Sequence, residues 1–126
     1  MPEAVLTGMR ILVVEDEYLL AEDIREELEA AGALVLGPVA NLRRALDLID
    51  DTLTIDGAVL DMNLAGEMVF PAADLLIGRG VPLIFTTGYH EATVPPEYAH
   101  IVLCGKPLER GEVAATIHDL VHANSS

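Results

Sequence analysis

Apolar residues in this chain fall into short unbroken runs, separated by stretches in which they recur every three or four positions. Arg10 to Val14 (RILVV) is the first run, short and β-branched, and it predicts a strand that stops at the acidic cluster Glu15-Asp16-Glu17. From about Tyr18 to Ala31 the pattern changes period. Leu20, Ile24 and Leu28 repeat every four residues while Glu22, Asp23, Arg25, Glu26 and Glu29 face elsewhere, which predicts a helix stopped by Gly32. Ala33 to Leu36 reads as a second strand ended by Gly37-Pro38. Asn41 is an N-cap for a helix reaching about Asp50, with Leu42, Ala45, Leu46 and Ile49 on one face. Ala58 to Leu60 is a third strand running into Asp61. A loop with Gly66 then leads to a helix from about Met68 to Arg79, with Pro71 allowed in its first turn. Pro82 to Thr86 and Ile101 to Cys104 are the fourth and fifth strands, and a last helix runs from about Arg110 to Ala123.

Strands that are continuous apolar runs are buried on both faces, so the order predicts a parallel sheet with helices on each side: a doubly wound α/β domain with five strands. One link breaks the rhythm. YHEATVPPEYAH, between the fourth and fifth strands, carries Pro95-Pro96 and cannot be one continuous helix. The fourth helix is therefore expected to be missing, very short, or confined to the residues after the prolines.

Composition narrows the classes. The 126 residues suit one domain, with a core expected over about residues 9–123 and no room for a separate output domain. Apolar residues make up 52%, which argues against disorder. The formal net charge of −14 argues against direct contact with nucleic acid or with an anionic membrane surface. Cys104 is the single cysteine; it lies in the apolar run IVLC, excludes an internal disulfide, and reads as core filler in a reducing compartment. No apolar run approaches the ~20 residues of a membrane span, and MPEAVLTGMR lacks the form of a signal peptide, so a cytoplasmic location is expected.

The chemistry is expected at the carboxyl ends of the strands, where open α/β sheets bind ligands. The first strand ends at Glu15 and Asp16, the third at Asp61, the fourth at Thr86-Thr87, and the fifth is followed by Lys106 in CGKP. Each close pair of carboxylates there costs about 4 kcal/mol at an effective dielectric of ~20. A hard divalent cation such as Mg²⁺, which takes oxygen ligands, removes that cost. A carboxylate beside Mg²⁺ and an ammonium stays ionised and can act as a nucleophile, and Thr87 can donate a hydrogen bond to a phosphoryl oxygen. That set of groups suits phosphoryl transfer.

The four stretches LVVEDE, AVLDMNLAG, FTTGY and CGKP, in this order, resemble the receiver domain of two-component response regulators over essentially the whole chain. The resemblance implies a flavodoxin-like fold. It makes Asp61 the phosphoacceptor, with Glu15, Asp16, Asp61 and the Asn63 backbone carbonyl around Mg²⁺, for which Mn²⁺ is an alternative. It assigns Lys106 and Thr87 to the phosphoryl group, with Thr87 rather than Thr86 as the switch hydroxyl because the small Gly88 follows it. It also implies a cis peptide bond between Lys106 and Pro107. Leu103 stands where many members carry an aromatic residue. Instead, Phe85-Thr86-Thr87-Gly88-Tyr89 is similar to the subgroup named for a Phe-Ala-Thr-Gly-hydrophobic-Tyr motif, which makes Tyr89 a candidate switch aromatic. The partners implied are a histidine kinase or histidine phosphotransfer protein, a downstream protein target, and a second copy of the chain, since receivers often pair beside the fourth helix. The role implied is that of a bacterial, stand-alone phosphoprotein signalling by protein contact, not a turnover enzyme.

Each residue has a plainer reading. Asp61 can be a strand-end cap, Glu15 and Asp16 helix-start acids facing the dipole, and Lys106 a surface lysine. Glu17 is read as a helix-start acid alone. His118 and His122 are spaced i, i+4 but have no third ligand, and Met62 and Met68 read as loop and core contacts. Two other classes stand beside the receiver. One is a pseudo-receiver, an interaction module that is not phosphorylated. The other is a small enzyme of similar architecture. A flavodoxin needs a hydroxyl- and Gly-rich loop where EDEY stands, and a haloacid-dehalogenase-like phosphatase carries its Asp after the first strand, not the third.

Overall fold

A computed structural model describes residues 5–88 and 94–124. The chain runs β1 (Arg10–Val14), α1 (Tyr18–Ala30), β2 (Leu34–Val39), α2 (Leu42–Asp51), β3 (Gly57–Asp61), β4 (Asn63–Leu64), β5 (Glu67–Met68), α3 (Phe70–Gly78), β6 (Leu83–Thr87), β7 (Val102–Gly105) and α4 (Glu112–Asn124). Five strands form a parallel sheet in the order β2-β1-β3-β6-β7, and β4 and β5 form a separate antiparallel hairpin. This is the doubly wound, flavodoxin-like arrangement, with its topological switch between β1 and β3.

The strands alternate between two apolar layers, as a pleated sheet with two buried faces must. Leu12, Val14, Leu60, Leu83 and Phe85 pack with Ala45 and Ile49 of α2 and Ala72, Ala73 and Leu76 of α3. Ile11, Val13, Val59, Ile84 and Cys104 pack with Ile24 and Leu28 of α1 and Val113, Ile117 and Val121 of α4. Leu6, ahead of β1, is fully buried in the second layer, and its N–H donates to the Ala31 carbonyl at 2.7 Å. Asn41 caps α2 as its type suggests, its Oδ1 accepting from the Arg44 N–H at 2.8 Å.

Two segments differ from the sequence expectation. β2 does not end at Gly37-Pro38 but continues to Val39, through a register shift opposite Leu12 to Val14. The sheet tolerates a proline there because β2 is an edge strand, where a missing N–H breaks no ladder. Gly37 has φ 94°, and a Cβ on it would lie 2.9 Å from the Val13 carbonyl oxygen. The Val39 carbonyl then accepts the Glu15 N–H at 2.9 Å, which fixes the backbone of the first acidic residue. Secondly, the stretch after Asp61 is a tight hairpin rather than a loop, turning through Ala65 (φ 55°) and Gly66 (φ 96°), and α3 starts at Phe70 instead of about Met68. The link between β6 and β7 agrees with the expectation from Pro95-Pro96: among the described residues it holds one 3-10 turn, Pro96–Tyr98, where a fourth helix would fall. Tyr98 of that turn is buried against Phe70 and Phe85.

Candidate functional site

The carboxyl ends of β1, β3 and β7 bring four acidic residues and one lysine together. Asp61 is the last residue of β3 and is buried, with 4% of its surface exposed. Its Oδ1 accepts the Asn63 N–H at 3.1 Å, and its Oδ2 accepts from Lys106 Nζ at 3.1 Å. Glu15, 2% exposed, is held at the end of β1, and Lys106 Nζ lies 3.3 Å from its carboxylate. Glu17, on the rim, takes the third contact of the same ammonium at 2.9 Å. One oxygen each from Glu15, Asp16 and Asp61 lies within 4.8 Å of the others. Among the described residues these three are the group of His, Cys, Asp and Glu able to hold a metal.

Crowding shows in the protonation of the acids. Glu15 is pushed up to about 8, by burial first and then by its contact with Asp61. Asp16 is raised for the same two reasons. For Lys106 burial alone would favour the neutral amine, but the hydrogen bond to Glu17 and the charges of Asp61 and Glu15 outweigh it and raise its pKa. One ammonium against this many carboxylates leaves the cluster short of positive charge. Glu15 Oε1 is also a buried oxygen with no hydrogen-bond donor; its 3.3 Å approach to Lys106 is an ion pair without hydrogen-bond geometry. An all-oxygen set with an unmatched buried oxygen fits Mg²⁺ or Mn²⁺.

The expected residues fall as follows. Glu15, Asp16, Asp61 and Lys106 converge. Asn63 stands beside Asp61 and is fixed twice, its N–H on Asp61 and its Oδ1 accepting the Gly66 N–H at 2.6 Å. Thr87 is buried at the end of β6, and its carbonyl accepts the Lys106 N–H at 2.8 Å. The Lys106-Pro107 peptide bond is cis. Tyr89 lies outside the described residues. His118 and His122 lie with ring centroids 4.1 Å apart and tilted by 38° on α4, outside the acidic group. Leu103 is 37% exposed on the edge strand.

Two residues were passed over in the sequence. Glu17 contacts Lys106 across 89 positions, a contact that no local pattern reveals. Thr86, not Thr87, is in register with Asp61 on one side and Cys104 on the other. Val59 and Ile84, two pairs earlier, both face the α1/α4 layer, and Thr86 continues the same alternation two residues beyond Ile84. Its hydroxyl is buried and without a hydrogen-bond partner.

No family model matches the chain. The phyllosphere-induced regulator PhyR of Methylorubrum extorquens is 32% identical over 112 residues, covering 85% of this chain, and the chain spans 41% of that protein's length. SdrG from Sphingomonas melonis Fr1 is 32% identical, with a TM-score of 0.77 over 94% of this chain and 98% of that one. SdrG in a BeF3-activated conformation matches with a TM-score of 0.74 and 31% identity, over 96% and 99% of the two chains. The response regulator PhyR from Brucella abortus is 26% identical, with a TM-score of 0.82 over 97% of this chain and 52% of that one.

Proposed function

The chain belongs to the receiver domains of two-component response regulators, and from that premise we propose that Asp61 accepts a phosphoryl group from the phosphohistidine of a histidine kinase or histidine phosphotransfer protein. One observation carries the reading. Asp61 is a buried carboxylate held on both oxygens, by the Asn63 N–H and the Lys106 ammonium, within reach of two further carboxylates.

The chain's own atoms orient the acceptor. An Asp61 oxygen forms the new P–O bond as the P–N bond of the donor breaks, and the departing imidazole nitrogen takes up a proton from solvent. Lys106 follows the charge from the carboxylate onto the phosphoryl oxygens, and Thr87 donates its hydroxyl to one of them. Glu15, Asp16, Asp61 and the Asn63 carbonyl would hold the divalent cation, whose chemistry is to neutralise phosphoryl oxygens. Receiver domains signal rather than turn over an external substrate. The added charge of about −1.5 to −2 biases the segment after Thr87, with output by protein contact in the cytoplasm. No described helix is long and apolar enough to cross a membrane.

The test is intact-mass spectrometry after incubation with acetyl phosphate and Mg²⁺. One phosphoryl adduct on the wild type and none on Asp61→Asn is expected. A full adduct on Asp61→Asn would remove the assignment. No adduct on a folded wild type, with either acetyl phosphate or a phosphorylated histidine donor, would favour the pseudo-receiver.

A further inference from the structure

Resting on that reading of Asp61, we propose that Glu17 is a positioning residue that competes with the phosphoryl group for the Lys106 ammonium and so holds the site toward its free form. Glu17 stands at the N-cap of α1, where an acidic side chain is ordinarily spent on the first helical N–H groups. Here the side chain makes no cap hydrogen bond. It reaches instead to Lys106 Nζ at 2.9 Å, closer than Asp61 at 3.1 Å or Glu15 at 3.3 Å. Its backbone is pinned beside the site, its N–H donating to Glu15 Oε2 at 3.1 Å.

An ammonium has three donors, and these three carboxylates share them. The three partners differ in one respect. The side chains of Glu15 and Asp61 are 0% and 5% exposed, whereas that of Glu17 is 62% exposed. A phosphoryl group on Asp61 brings further acceptor oxygens into a cluster already short of positive charge. Lys106 can turn to them by releasing one partner, and Glu17 is the one that water can solvate in its place. Glu17 therefore stabilises the unphosphorylated arrangement relative to the phosphorylated one, and its negative charge at the rim also opposes the approach of anionic phosphodonors.

The experiment measures beryllofluoride affinity by calorimetry at saturating Mg²⁺, for wild type, Glu17→Gln, Glu17→Asp and Asp61→Asn. Glu17→Gln should bind beryllofluoride about two- to fivefold more tightly, the range of an exposed ion pair. It should also take phosphoryl from acetyl phosphate faster, while Glu17→Asp, which keeps the charge, stays nearer wild type. The advantage should fade between roughly 0.01 M and roughly 1 M salt, as the Debye length shrinks from about 30 Å to about 3 Å. A helix-start role would change melting but not this salt-dependent affinity. Equal or weaker binding by Glu17→Gln at low salt overturns the inference while the reading of Asp61 stands. A wild type that binds beryllofluoride no better than Asp61→Asn overturns both.

Discussion

Lys106 Nζ lies 3.1 Å from Asp61 Oδ2 although the two residues sit at the ends of strands that are not neighbours: β6 runs between β3 and β7. Two strand spacings separate their backbones by nearly 10 Å, so the whole lysine stem is stretched over the end of β6. The ammonium it carries is the charge that the buried carboxylates of Asp61 and Glu15 share.

Lys106→Met keeps most of the stem and removes the charge. Breaking a buried ion pair from one side leaves the other charge uncompensated, and with Lys106 partly exposed we expect a loss of roughly 2–3 kcal/mol without metal. The loss should be larger at pH 8 than at pH 5, because protonated carboxyls need no counter-charge, and Mg²⁺ should restore part of it. Urea unfolding at the two pH values, with and without Mg²⁺, measures this. A variant as stable as wild type at pH 8 without metal contradicts it.

The metal-free protein should lose stability as the pH rises from 5 to 8. The sign follows from Glu15, whose folded value is raised from 4.5 to about 8, so the folded state binds more protons than the unfolded state between those values. Its contribution is complete below 4.5 and disappears as the pH passes about 8. Asp16 is raised as well and acts in the same direction. Lys106, raised above 10.5, holds its proton in both states across this window and adds no slope. Glu15→Gln should flatten most of the dependence. Saturating Mg²⁺ should flatten it too, since metal binding favours the ionised acids. A wild-type stability that climbs toward pH 8 without metal would be the wrong sign.

Thr86→Val should stabilise the protein. The Thr86 hydroxyl is buried without a partner, and valine has nearly the same shape with no group to desolvate, so a gain of about 1 kcal/mol is expected. Thr87→Val removes a group assigned to the phosphoryl and should instead lower the rate of phosphorylation with little change in melting. A destabilised Thr86→Val would show that its hydroxyl holds a bond of its own.

The sheet and most of the site are legible in the sequence because both rest on local signals. Continuous apolar runs mark strands buried on two faces, and the first polar residue after each run marks its carboxyl end; Asp61 and Lys106 are found this way. What escapes depends on distant or very short features. The Asn63 to Met68 hairpin is too short to show a period of two, and Ala65 at φ 55° is not a residue that advertises a left-handed turn. Gly37-Pro38 reads as a stop, yet an edge strand passes through it. Glu17 looks like an ordinary helix-start acid until Lys106 arrives from the other end of the chain. Leu6 precedes the first recognisable element but is fully buried, because the turn before β1 folds back on the end of α1.

The proline-broken link offers the last prediction. Tyr98, in its 3-10 turn, donates its hydroxyl to Asp74 Oδ1 of α3 at 2.6 Å. Its ring stacks on Phe70 with centroids 4.6 Å apart and meets the edge of Phe85 at 6.1 Å. Phe85 immediately precedes Thr86 and Thr87, so this cluster ties the link after the site to α3 in place of a fourth helix. The hydrogen bond to Asp74, with burial, raises the tyrosine to about 12, so the hydroxyl keeps its proton and remains a donor throughout the physiological range. Tyr98→Phe keeps the stack and loses the bond, at an expected cost of about 1.5–3 kcal/mol for a charge-assisted hydrogen bond. Asp74→Asn should cost less, since a neutral acceptor remains, and the double variant should fall short of the sum because both substitutions touch one interaction. Tyr98→Ala also removes the ring and should add several kcal/mol, at about the level of other buried aromatic truncations. Urea unfolding of the four variants gives the coupling directly. Strict additivity of Tyr98→Phe and Asp74→Asn would mean that the hydroxyl contributes nothing through Asp74, and that ring packing alone anchors the link.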